Sequence, residues 1–246
     1  MEPLVDGIDH VYVPMTEASA AFDVLSTGLG LPILWPMTSF GSFSSGGVSL
    51  GSIKLEIIES NAVTPWCAAH HPPRIQGIAL RPSSPVDDGY LTGLDERRIL
   101  HSDPETFERD GRPGWTNVYL VDLVGPDAGA FLCDYHLPES KDLDHRRRVL
   151  AECAGGRLGV LDAAELLIAS RDPEAAARRW QRLLGPPGAS DLAWRLPVGP
   201  VIRLVPGDDD HVEQLTLSVR DADLAFRVWA DTAEPALAGF PVRFVG

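Results

Sequence analysis

Several things are scarce in this chain, and each scarcity excludes a class of protein. No apolar run approaches the roughly eighteen residues that a membrane-crossing helix needs. The opening residues, Met1-Glu2-Pro3-Leu4-Val5-Asp6, lack the basic region and long apolar stretch of a secretory leader. The three cysteines (Cys67, Cys133 and Cys153) are odd in number and far apart, which argues against a disulfide framework or a CxxC zinc motif. Basic residues are few: 21 Lys and Arg against 35 Asp and Glu give a formal charge of −14. A phosphate backbone would be repelled by such a surface, so no nucleic-acid partner is expected. The one dense basic run, His145-Arg146-Arg147-Arg148, sits among Lys141, Asp142 and Asp144 and reads as a solvated helix face. A soluble, cytoplasmic protein without membrane contact is the expectation.

What the chain does have is length and pattern. Its 246 residues, 44% hydrophobic, can bury the core of one large domain or two small ones. A unit recurs along it. From His10 a short apolar strand leads to Glu17 seven positions on, then an Ala-rich helix with Leu25 at plus fifteen and Gly28-Leu29-Gly30 at its end. The frame returns at Glu165, with Asp172 at plus seven and Trp180 at plus fifteen, and at Gln214, with Asp221 and Trp229 at the same offsets. A fainter copy starts near Ile75, with Gly77 in the position of His10.

Each unit makes physical sense. Apolar or alternating residues form a strand, an acidic residue opens the helix, and the apolar helix positions share one face. Pro173 inside the third helix and Gly185-Pro186 after it are start and stop signals. After the first helix come short strands at 33–35, 46–50 and 53–59. The third unit continues with strands at 192–196 and 201–204, the second with strands at 116–121 and 130–135, and the truncated fourth with 241–245. The expected division is 1–140, a charged helical connector over 141–162, and 163–246. Trp180 and Trp229, at equivalent helix positions, are expected in the core. The stretch from Asp87 to Trp115, with four glycines, reads as a lid or as a plain connector.

The residues Ile8-Asp9-His10-Val11, Gly28-Leu29-Gly30-Leu31, Ser45-Gly46-Gly47-Val48-Ser49-Leu50 and Lys54-Leu55-Glu56-Ile57-Ile58 resemble the vicinal oxygen chelate superfamily, which includes glyoxalases, bleomycin-resistance proteins and extradiol dioxygenases. The stretch Phe131 to Glu139 resembles the last strand and exit of such a module. The resemblance implies an α+β fold of repeated βαβββ modules forming cupped mixed sheets. It also implies a divalent metal (Fe, Mn, Ni, Co or Zn) held by the first and fourth strands of each module. Carried over, the ligands are His10, Glu56 and Asp134, while Gly77, Glu165 and Gln214 fall at the other first-strand positions and Leu204 at a fourth-strand one.

Such a metal would act as a Lewis acid on two neighbouring substrate oxygens, as in isomerase or lyase chemistry. Glu56, Tyr135 and His136 are the candidate catalytic groups, although a histidine placed like His136 more often caps a strand end. Trp35, Trp66 and Trp115 are candidate walls of a cleft for a small molecule. The alternative is a binding or sequestration protein of the bleomycin-resistance type, using the same cup without metal. The pair His70-His71, before Pro72-Pro73, reads as exposed loop. Glu165 and Gln214 would face each other across the C-terminal strands. A homodimer, in which a cup borrows a module from a second copy, is an arrangement the resemblance allows.

Overall fold

A computed structural model describes residues 2–41, 43–60, 68–109, 111–125, 128–137, 143–188, 191–233 and 236–246, with backbone alone for Ser60 and Asp122. The N-terminal elements are β1 (Val5–Pro14), α1 (Ala18–Asp23) continued by a π-turn over Val24–Gly28, β2 (Ile33–Ser39), β3 (Phe43–Ser49), β4 (Lys54–Ser60), β5 (Gly77–Pro82), α2 (Asp88–Glu96), β6 (Glu105–Arg109), β7 (Arg112–Gly125) and β8 (Ala128–Tyr135). After α3 (Leu143–Glu152) come β9 (Val160–Ser170), α4 (Pro173–Leu184), β10 (Ala193–Trp194), β11 (Val201–Pro206), β12 (His211–Val219), α5 (Ala222–Ala233) and β13 (Val242–Val245).

The N-terminal strands form one sheet in the order β2-β3-β4-β1-β5-β8-β7-β6. Within each module the first strand lies parallel to the fourth, β1 beside β4 and β5 beside β8. The modules join through their first strands, β1 antiparallel to β5. The C-terminal sheet, β10-β11-β9-β12-β13, repeats this centre with β9 antiparallel to β12 but has fewer outer strands. The architecture is α+β, with curled sheets of repeated modules, as the resemblance implies.

Of the three units with an acidic residue seven positions in, two use it as a helix cap. Asp172 Oδ1 accepts from Ala175 N at 2.9 Å and Asp221 Oδ1 from Leu224 N at 2.9 Å; Asp87 does the same for Tyr90 N at 2.9 Å. Glu17 makes no such bond. The stretch 87–115 is not a lid. It supplies the second module's own helix, whose Tyr90 and Leu94 enter the main core, and then β6 and the start of β7.

The strand face beneath the helices carries the main core. It gathers Ile8, Val11 and Val13 of β1, Ile78 and Leu80 of β5 and Leu132 of β8, with Trp180, Leu166 and Leu215 from the C-terminal half. Trp180 is fully buried and Trp229 packs against Phe240 and Phe244. The halves are also stitched by backbone, with Leu4 N donating to Leu183 O at 2.9 Å and Val198 N to Asp6 O at 2.9 Å. Asp162 Oδ1 accepts from both Ser52 N and Ser52 Oγ. Among the described residues no helix is long and apolar enough to cross a membrane.

Candidate functional site

The other face of the N-terminal sheet is the inside of the cup, and strand register fixes which residues line it. Cross-strand partners point the same way. One row crosses six strands as Ser49, Lys54, His10, Ala79, Phe131 and Tyr119. The adjacent row runs Trp35, Gly47, Glu56, Tyr12, Gly77 and Gly129. The first row is polar at one end and apolar at the other. Tyr12, Ile58, Ala79, Phe131 and Cys133 form an apolar cluster separate from the main core, bordered by Phe43, Trp115, Tyr119 and Tyr135.

At the polar end sits a buried knot of charge. Neighbouring strand residues normally face opposite ways, but the β1–β5 register slips between Ile8 and His10. This bulge brings the Asp9 carboxylate beside the His10 ring. Asp9 Oδ2 lies 2.8 Å from His10 Nδ1, accepts from Lys54 Nζ at 2.6 Å and from the Tyr135 hydroxyl at 3.1 Å. Lys54 Nζ also donates to the Tyr135 hydroxyl at 3.0 Å and lies 4.2 Å from that ring's centroid. Arg146 Nη1 donates to Asp9 Oδ1 at 3.2 Å and to the Asp9 carbonyl at 3.1 Å. On the far side of the imidazole, His10 Nε2 stands 3.3 Å from Glu56 Oε2.

The electrostatics follow from these contacts. Burial disfavours an ionised Asp9, yet Lys54, His10 and Arg146 outweigh it and hold the carboxyl far below its usual range. Burial alone would lower the His10 pKa, but hydrogen bonds to Asp9 and Glu56, and their charges, raise it above 6.5. An imidazolium here donates from both nitrogens. Burial, with Asp9 next, pushes the Tyr135 hydroxyl well up, so it stays protonated and donates.

The predicted site residues divide in two. The structure brings together His10, Glu56 and Tyr135, and it places Trp35 and Trp115 on the same face. Trp35 lies over Gly47, where a Cβ would stand 2.2 Å from its ring, and its Nε1 donates to Ser45 Oγ at 3.1 Å. Trp115 stacks on Phe107 at a centroid distance of 5.2 Å. Asp134 is not brought to the pair: on β8, Cys133 and Tyr135 face the cup, so Asp134 faces the helices, where its Oδ2 accepts from Val86 N at 3.0 Å. His136 follows it outward, with Nε2 2.9 Å from Thr116 Oγ1. Trp66 lies outside the described residues. Glu165 is bound by Arg203 Nε at 2.6 Å, and its cross-strand partner is Thr216 rather than Gln214.

Asp9, Lys54 and Arg146 are the site residues that sequence reasoning missed. Alternation alone would have placed Lys54 beside Glu56, two residues along the same strand. The basic run is exposed at His145, Arg147 and Arg148, as a solvated face should be, but Arg146 is only 3% exposed and turns inward.

Paired βαβββ modules, joined through antiparallel first strands and curled into a cup, are the fold of the vicinal oxygen chelate proteins, and this chain has that fold. No family model matches the sequence, and no curated protein matches it. Among solved structures it is similar to a hypothetical protein from Staphylococcus aureus (TM-score 0.63, 10% identity, 88% of this chain and 92% of that one). It is also similar to a variant of 4-hydroxymandelate synthase from Streptomyces coelicolor (0.59, 15%, 95% and 76%). A Mn(II)-bound glyoxalase from Novosphingobium aromaticivorans matches at 0.55 with 12% identity, over 93% and 70% of the two chains. At such identities the likeness establishes the fold alone.

A catalytic metal of this fold needs about three protein donors and an open position. His10 Nε2 and Glu56 Oε2 are two. On its first and fourth strands the second module presents Gly77, Ala79, Phe131, Cys133 and Tyr135 to the cup, and among the described residues no group of three His, Cys, Asp or Glu could hold a metal. Among the described residues the donor set therefore does not fit a resident metal centre, and the chemistry below is that of the chain's own groups.

Proposed function

We propose that the N-terminal cup binds a small oxygenated organic molecule and acts on it by proton transfer, with His10 as the acid and Glu56 as its partner base. The observation that carries this reading is the row from Lys54 and His10 to Phe131 and Tyr119. One end offers N–H donors to oxygen and the other offers apolar and aromatic surface to carbon.

In this reading a substrate carbonyl or hydroxyl oxygen takes the Nε2 proton that Glu56 accepts in the free protein. The Glu56 carboxylate is then released to remove a proton from the neighbouring carbon. Asp9 holds the ring through Nδ1 and stabilises its positive charge. The Tyr135 hydroxyl and the Lys54 ammonium stand behind Asp9 and exclude water. Isomerisation and elimination beside a carbonyl are the reactions such a pair serves.

One observation favours a metal-bearing variant of this reading. A carboxylate on the far nitrogen, as Asp9 is on His10 Nδ1, is the usual outer partner of a metal-bound histidine. Two experiments separate the readings. Solvent deuterium exchange into a panel of small hydroxyketones and oxo acids, followed by 1H NMR, should occur with the wild-type chain and fail with Glu56→Gln and His10→Gln. Elemental analysis of chelator-free protein should show no stoichiometric metal; metal lost in both variants would replace proton transfer by the metal reading. Saturable tryptophan quenching by a panel member without any exchange would leave a binding protein of the bleomycin-resistance kind instead.

A further inference from the structure

We propose that Arg146 is the positioning residue of the cup: reaching in from α3, it holds Asp9 and through Asp9 the His10 ring, so a site built on the first module is completed by the connector between the halves. This rests on the cup being the working site, as proposed above, yet it can be tested without any ligand.

The division of labour on Asp9 supports it. Oδ2 is shared by His10, Lys54 and Tyr135, whereas Oδ1 and the main-chain carbonyl are each held by Arg146 Nη1. Two contacts from one nitrogen fix both ends of the bulged residue, and with it the direction in which the carboxylate meets His10 Nδ1. The helix is pinned at the same residue from below, where Ser49 Oγ donates to the Arg146 carbonyl at 3.0 Å. Ser49 neighbours Lys54 in the cup row, so α3 stands at the polar end of the cup.

The remaining guanidinium nitrogens argue against a purely structural role. Nε and Nη2 are buried and have no hydrogen-bond partner among the described residues. A guanidinium buried with two unpaired donors is a weak source of stability, and removing it leaves no uncompensated carboxylate as long as Asp9 keeps other cationic partners. Lys54, His10 and the Tyr135 hydroxyl still pair with Asp9 if Arg146 is removed. The arginine is therefore placed for what it does to Asp9, a conflict between stability and site geometry of the kind that marks working sites.

The experiment compares wild type, Arg146→Met and Arg146→Lys as full chains with 15N-labelled histidine, taking His10→Gln to assign the His10 signals. The readouts are the His10 ring nitrogens, its hydrogen-bonded Nδ1 proton and the melting temperature. Arg146→Met should keep its cooperative melt while the Nδ1 proton moves upfield or broadens away. Arg146→Lys, with a charge but a single-atom donor, should restore that signal in part. His10 signals identical to wild type in Arg146→Met overturn the proposal. If Arg146→Met fails to fold, Arg146→Lys decides alone: an altered Nδ1 proton in a folded chain supports it, and an unaltered one overturns it. Absence of substrate exchange in the wild-type chain, with the Nδ1 proton still altered in Arg146→Met, would strike the functional reading and leave the positioning role standing.

Discussion

Tyr12 lies where a side chain at Gly77 would have to stand: a Cβ built on Gly77 comes within 1.6 Å of a Tyr12 ring carbon. The two residues are cross-strand partners, and the ring covers the bare backbone of β5. The first-strand position at which the resemblance implies a second-module donor is here closed twice, by the missing side chain and by the ring in its place.

Gly77→Ala should therefore destabilise the cup, because the Tyr12 ring is buried and must shift. Forcing one methyl into a packed site costs about 1–3 kcal/mol. The double variant Gly77→Ala, Tyr12→Ala should lose less than the sum of the single losses, since the clash goes with the ring. Urea denaturation of the four proteins measures this coupling. Simple additivity would mean that Tyr12 does not occupy the space.

The pH dependence of stability should carry the signature of His10. Its folded pKa is raised above 6.5, so its contribution is fully present below that value and fades as pH rises through the folded pKa. Asp9 works in the opposite sense: its folded pKa is depressed, so its contribution is present above 3.8 and is lost only as pH falls toward the lower folded value. Melting temperature should thus decline on the alkaline side of 6.5 in wild type, with a shallower slope in His10→Gln. Equal slopes in the two proteins would show that His10 is not held as an imidazolium.

These two residues also show how far sequence could see. The repeat placed His10 and Glu56 on the first and fourth strands of one module, and parallel pairing of β1 with β4 brings them together. Asp134 was the acidic residue on the corresponding strand of the second module, but a period of two makes a one-residue difference a change of face. The register of β8 against β7 puts Cys133 and Tyr135 inside instead. Asp9 was hidden for a different reason. Only the bulge brings it beside His10, and no residue type near it announces a bulge. Arg146 was hidden by company, because in a run of four basic residues no apolar period marks which one turns inward.

The joint between the halves offers the last prediction. Asp162, near the start of β9, accepts through Oδ1 from Ser52 N at 2.7 Å, from Ser52 Oγ and from Ala163 N at 2.8 Å. Ser52 is 1% exposed, so its donors have no water to turn to when the carboxylate is removed. Asp162→Ala should cost about 1–3 kcal/mol, the penalty for leaving buried donors unpaired. Asp162→Asn keeps a carbonyl oxygen in the same place and should lose less. The Arg147 contact to Oδ2, at 3.6 Å and half-exposed, should contribute little, so Arg147→Ala serves as the control. Hydrogen exchange at Ser52 and Ala163 locates the effect: faster exchange there in Asp162→Ala, with the strands of both sheets still protected, means that the carboxylate staples one half to the other. Unchanged exchange and unchanged stability would mean that the shared apolar core around Trp180, Leu166 and Ile8 holds the halves together without it.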